Sequence, residues 1–210
     1  MLKLYIGPMM AGKTSHLIAD LITYHDLDKK VLFVNHIKDT RDKDYSTHRS
    51  GKPELPSTMT KMKIDHLAKI SNPEQFFAIG VDESQWFMDL VPVITSWLER
   101  GIWVFCSGLN GSFEQKPFGK ILDLVPQADE VVHLKAKCTT CLFDGTIKDA
   151  PFTKRLIEDR TLNIPGGKET YAAVCRKHLP IGSTLSSKCR KSARSKAVKN
   201  MRTRSRTIKT

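Results

Sequence analysis

The chain has 210 residues, 40% of them hydrophobic and 27% charged, with a formal net charge of +12. That apolar content supports one ordinary core with a small appended module and excludes a chain that is disordered throughout. No apolar run reaches the roughly 18 residues of a membrane span, and the first residues lead into a strand instead of a signal peptide, so a soluble, intracellular and cytoplasmic protein with no membrane partner is expected.

Short, unalternated apolar runs at residues 2–6, 31–34, 76–81, 103–106 and 131–134 have the pattern of strands covered on both faces, as in a parallel sheet. Helical stretches are expected between them at about 12–24, 62–70 and 88–100. In the last of these Leu90, Val91, Ile94, Trp97 and Leu98 repeat at helical spacing before a stop at Gly101. Alternating strands and helices predict an α/β, doubly wound layer structure.

After the first run, Gly7-Pro8-Met9-Met10-Ala11-Gly12-Lys13-Thr14 fits G-x-x-x-x-G-K-[ST], between a strand and a helix as that motif requires. Such a loop turns successive N–H groups toward phosphate oxygens at a helix N-terminus. Lys13 adds a positive charge near the β and γ phosphates, and Thr14 supplies a Mg²⁺ ligand. The sequence therefore predicts ATP with Mg²⁺ and a P-loop NTPase-like sheet.

The run at 76–81 ends in Asp82 and Glu83. Asp82 is placed to reach the Mg²⁺ shell, and Glu83 beside it is free to act as a general base on whichever hydroxyl lies in line with the γ phosphate. That hydroxyl can belong to water or to a bound acceptor, so these two motifs leave both an ATPase and a kinase open.

Composition changes after residue 134. Cys138-x2-Cys141 and Cys175-x2-His178 form two ligand pairs, a set that closes a tetrahedral structural Zn²⁺ site. We expect residues 1–134 to form the α/β body, 135–181 a small zinc-stapled module with too few apolar runs for a core of its own, and 182–210 a basic tail. The tail holds ten Lys or Arg and no acid; taking those ten from 34 leaves 24 basic against 22 acidic residues elsewhere. The charge argument thus belongs to the tail, a solvated extension capable of weak, unspecific, salt-sensitive polyanion binding. Cys106 reads as core and Cys189 as a free thiol in the tail. A rival function consistent with the loop, the Cys pairs and the tail is a nucleic-acid-dependent ATPase or a zinc-ribbon nucleic-acid-binding protein.

Six blocks in order, "GPMMAGKT", "DESQWF", "LNGSFEQKPFG", "KCTTC", "FTKRL" and "IPGGKETYAAVCRKH", make the chain resemble the thymidine kinase family of the cellular and poxvirus type. The resemblance spans nearly everything from Leu2 to about Pro180 and implies transfer of the ATP γ phosphate to the 5′-hydroxyl of thymidine or deoxyuridine. It further implies that Lys13 and Thr14 hold phosphates and Mg²⁺, that Glu83 is the base, and that Met9, Trp86, Phe113 and Phe118 surround the pyrimidine. The segment 152–172 becomes a lasso over the base, with Thr153 near the 5-methyl group, Tyr171 near the sugar, and Ile164 and Gly166 among the nucleoside contacts. A homotetramer is also implied. On residue chemistry alone, Phe113 and Phe118 fit the core better than a binding site. Two departures stand out: Trp86 replaces the usual Phe, and the family's T-H-D-R stretch reads Thr47-His48-Arg49 without the Asp, so no role is carried to that loop. The family often has Cys where His178 stands.

Overall fold

A computed structural model describes residues 1–39, 54–159, 161, 166–167 and 169–180. Ile164, the Thr47-His48-Arg49 loop, Cys189 and the tail at 182–210 lie outside the described residues. Six parallel strands make the central sheet: β1 (Leu2–Gly7), β2 (Val31–His36), β3 (Thr60–Ile64), β4 (Ala78–Val81), β5 (Trp103–Leu109) and β6 (Glu130–His133). Their spatial order is β3-β2-β4-β5-β1-β6.

The register aligns the carboxyl ends of the inner strands. Val81 of β4 pairs with Cys106 of β5 and with Val34 of β2, while Gly7 of β1 pairs with Leu109 of β5. Everything that follows those strands therefore emerges on one edge, where α/β sheets bind ligands.

Alternate residues of each inner strand feed two apolar layers. Leu2, Leu4, Leu32, Val34, Ile79, Val81, Val104 and Cys106 face one side and pack with Leu90, Ile94 and Trp97 of α2 (Leu90–Glu99). Tyr5, Val31, Phe33, Ala78 and Phe105 face the other and meet Leu17, Ile18 and Leu21 of α1 (Lys13–His25). Both faces are covered, which is why the runs in the sequence are unalternated. Among the described residues no helix is long and apolar enough to cross a membrane.

One expected helix is absent. Residues 62–70 do not form one; β3 occupies Thr60–Ile64 and a short 3₁₀ turn follows at Leu67–Lys69. Met62 and Ile64 alternate with Lys61 and Lys63, the period-2 pattern of an edge strand, and Val34↔Met62 and His36↔Ile64 pairing on β2 captures it. The run at 76–81 is also shorter than expected as a strand, because a 3₁₀ turn at Pro73–Gln75 leaves only Ala78–Val81 paired.

The rest of the described chain forms β7 (Ala136–Lys137), α3 (Thr139–Phe143), β8 (Asp149–Ala150), β9 (Phe152–Arg155) and β10 (Tyr171–Val174), with β7 paired to β8 and β9 to β10, both antiparallel. An apolar cluster joins this region to the preceding chain: Ala136, Ala150, Ala172, Ala173, Val174, Leu179 and three cysteines pack with Ala11, and Met10 and Leu134 lie against them. Small side chains escaped notice because they form no conspicuous run.

Candidate active site

The chain leaves β1 at Gly7 and enters α1 at Lys13 through a tight loop. Gly12 caps the helix with φ 86°, a left-handed conformation that favours glycine, and no side-chain hydrogen bond caps the helix start. Helix N-termini carry backbone N–H groups without intrahelical partners and the positive end of the dipole. Lys13 folds back over the loop, its Nζ donating to the Pro8 carbonyl at 2.8 Å.

The second motif meets the first across β5. Thr14 Oγ1 lies 3.1 and 3.0 Å from the two Asp82 carboxylate oxygens. Two adjacent ligands of an octahedral Mg²⁺ stand about 2.9 Å apart, so this oxygen pair fits that cation. Ser107 Oγ of β5 also donates to Asp82, and the Asp82 N–H donates to the Val34 carbonyl at 2.8 Å. Asp82 is buried. Burial first, then the neighbouring Glu83 charge, pushes its carboxyl well above the usual range, and the Ser107 and Thr14 hydroxyls offset only part of that.

Glu83 sits in a left-handed conformation, φ 50°, at the start of a 3₁₀ turn, Ser84–Trp86. A non-glycine residue held there is uncommon and often functional. Its Oε2 accepts from Gln85 Nε2 at 2.5 Å, while Gln85 Oε1 accepts from the Leu109 N–H at 2.9 Å. Trp86 packs edge-on against His36 at the end of β2, ring centroids 5.8 Å apart.

The β9–β10 pair reaches the loop after β1. The Met9 N–H donates to Thr153 Oγ1 at 3.0 Å, and Met10 and Ala11 join the alanine-rich cluster. Arg155 on β9 is buried with its guanidinium 3.9 Å from the Phe113 ring centroid and 5.2 Å from that of Tyr171. It donates to the Tyr171 hydroxyl at 2.7 Å and to the carbonyls of Asp159 at 2.9 Å and Thr161 at 2.5 Å. Phe113 and Phe118 are half-buried and stand outside all three apolar clusters, so the core location favoured by residue chemistry alone is wrong. Gly166 is half-buried, close against Thr170.

Cys138, Cys141, Cys175 and His178 converge at the root of the same pair, with their ligand atoms all within 4.8 Å of one another. His178 Nδ1 lies 3.5 Å from each of the three sulfurs, and the Cys141 and Cys175 sulfurs are 3.8 Å apart. Ligand lengths of about 2.3 Å for sulfur and 2.0–2.1 Å for nitrogen around a tetrahedral Zn²⁺ give separations of about 3.6 and 3.8 Å. The cluster fits such an ion. Burial and the neighbouring thiols push the Cys141 thiol up to about 11. Burial works the same way on Cys175, but the His178 N–H, the Cys138 and Cys141 side chains and the Lys177 N–H together outweigh it and lower that thiol.

Gln85, Ser107 and Arg155 belong to this site and carry no motif signal. Ser107 was detectable as a lone hydroxyl in an apolar strand, and Arg155 lies in a block that the resemblance quotes without assigning it a role.

A family model described as thymidine kinase matches residues 1–179. The thymidine kinase of Sheeppox virus (strain KS-1) is 34% identical over 174 residues, covering 83% of this chain and 93% of the relative. That of Vaccinia virus (strain Western Reserve) is 36% identical over 177 residues, covering 84% and 94%. The cytosolic thymidine kinase of Homo sapiens is 32% identical over 177 residues, covering 83% and 71%. Matched from its first residue to just past its last metal-ligand candidate, the chain belongs to the thymidine kinase family.

Proposed function

We propose that the protein transfers the γ phosphate of ATP to the 5′-hydroxyl of thymidine, and of deoxyuridine, giving the monophosphate. The observation that carries this reading is the Thr14–Asp82 contact, which joins the start of α1 to a strand end whose next residue is Glu83. In this P-loop reading the N–H groups of residues 7–14 and the Lys13 ammonium hold the phosphates. Thr14 and Asp82 hold Mg²⁺. When bound, that ion neutralises charge on the transferring group. Glu83 accepts the proton of the 5′-hydroxyl as that oxygen attacks the γ phosphorus and the bond to the ADP oxygen breaks.

Met9, Trp86, Phe113 and Phe118 flank the base, where flat aromatic faces stack on a pyrimidine. Thr153, Ile164, Gly166 and Tyr171 contribute from the lasso over it. Residues 1–134 act as the kinase body and 135–181 as a lasso module stapled by Zn²⁺ on the three cysteines and His178. Exclusion of water by that lasso favours transfer to nucleoside over hydrolysis. A cytoplasmic location is supported by the mammalian relatives named as cytosolic. The homotetramer rests on the family resemblance.

The test is a transfer assay with γ-labelled ATP and thymidine, deoxyuridine, deoxycytidine or no acceptor. Label is expected on thymidine and deoxyuridine. Label recovered only as inorganic phosphate, or turnover that requires DNA or RNA, would reject the kinase in favour of an ATPase.

A further inference from the structure

We infer that Gln85 is the positioning residue for the Glu83 carboxylate, its side-chain amide being locked in one orientation by the backbone of β5. This rests on the reading of Glu83 as the base. The Leu109 N–H must donate, so the amide oxygen faces it at 2.9 Å. The amide nitrogen then faces Glu83 Oε2 at 2.5 Å, and a carboxylate can only accept. Both neighbours demand the same orientation, so the amide cannot flip without losing two hydrogen bonds at once.

The setting leaves little freedom. Gln85 is 3% exposed, and a Cβ at Gly108 would lie 2.6 Å from the amide oxygen, so β5 carries no side chain at that point. The 3₁₀ turn at Ser84–Trp86 is pinned by the Ser84 hydroxyl donating to the Val81 carbonyl at 2.8 Å and by the Trp86 N–H donating to Glu83 O at 3.0 Å. Glu83 and Gln85, two positions apart, are thereby presented on one side of the turn. A base must be held near its productive geometry, and small misplacements cost large factors in rate. The amide links that geometry to the sheet itself.

Three variants, made in the full chain, test the assignment with kcat and KM for ATP and thymidine. Gln85→Met fills the same volume without either bond and is expected to lower kcat by about tenfold or more, with both KM values within about twofold. Gln85→Glu keeps an acceptor for Leu109 but removes the donor to Glu83, so it is expected to stay slow. In a Glu83→Gln background, Gln85→Met is expected to cost nothing further, because the carboxylate it positions is gone. Restoration of kcat by Gln85→Glu, full kcat in Gln85→Met, or losses that multiply in the double variant would each overturn the positioning role while leaving the base in place. Wild-type turnover in Glu83→Gln alone would overturn the base and this inference together. Circular dichroism of each variant separates a folding failure. If Gln85→Met does not fold, the Gln85→Glu comparison and its double variant with Glu83→Gln decide.

Discussion

The central sheet and the region after residue 134 hold their side chains in place with different materials. The sheet edge is supported by two layers of large apolar residues, each fully buried Leu, Ile or Phe contributing about 1.5–3 kcal/mol. The lasso cluster is mostly alanine and cysteine, and an alanine buries about one methyl group, or about 0.8 kcal/mol. Val174 and Leu179 add to these alanines, and a Zn²⁺ on Cys138, Cys141, Cys175 and His178 would contribute further folding energy. A rigid edge suits chemistry that depends on sub-ångström placement. In the proposed reading, a region stapled at its root suits a flap that opens for nucleoside to enter.

This contrast predicts that damage at the edge is read in kcat and damage at the staple in nucleoside binding. The largest effect is expected from Glu83→Gln, a loss of kcat of about 10²–10⁴-fold with ATP binding retained, measured by steady-state kinetics and ATP titration. Turnover near wild type would reject the base and remove the functional distinction between the two regions.

Metal removal sharpens the comparison from the other side. After chelation proven by metal analysis, or in Cys138→Ser, thymidine binding is expected to weaken by about tenfold or more. Hydrogen exchange should show amides of β9 and β10 losing protection while those of β1, β4 and β5 keep theirs. Equal loss in both regions would mean that the lasso and the sheet unfold as one unit, and unchanged thymidine affinity would detach the staple from substrate binding.

The smallest effect is on stability and concerns Asp82. Its folded carboxyl is raised, so in the metal-free protein it stabilises the fold fully below its ordinary range and that contribution is lost as pH rises through the shifted value. Metal-free protein is therefore expected to lose stability between mildly acidic and neutral pH. Asp82→Asn should flatten that slope and raise the melting temperature at alkaline pH by about 2–4 °C. A slope that persists in Asp82→Asn assigns the pH dependence to another group.

The edge and the staple also differ in how far they could be read before the fold was known. Gly7 to Thr14, Asp82 with Glu83, and both Cys/His pairs were legible, because each is a short pattern whose spacing encodes its geometry. All five strand runs fell within a few residues of β1, β2, β4, β5 and β6, since burial on both faces writes itself as an uninterrupted apolar run. β3 was misread as helix because an edge strand is half-wet and its lysines suit either structure. The lasso strands went unseen for the opposite reason. Their core is alanine, whose small surface leaves almost no trace in a hydropathy pattern.

By itself, then, the order of residues determined the loop, the acidic strand end, the ligand set and the layered α/β class, all of which depend on neighbours within a few positions or on the sum of apolar runs. Tertiary structure alone decided that Thr14 meets Asp82 across 68 positions, that Gln85 faces Glu83 because Leu109 needs an acceptor, and that Arg155 lies over Phe113. Hydrogen bonds and ring contacts between distant segments exist only once the sheet register has brought their strands side by side, and no local pattern carries that register.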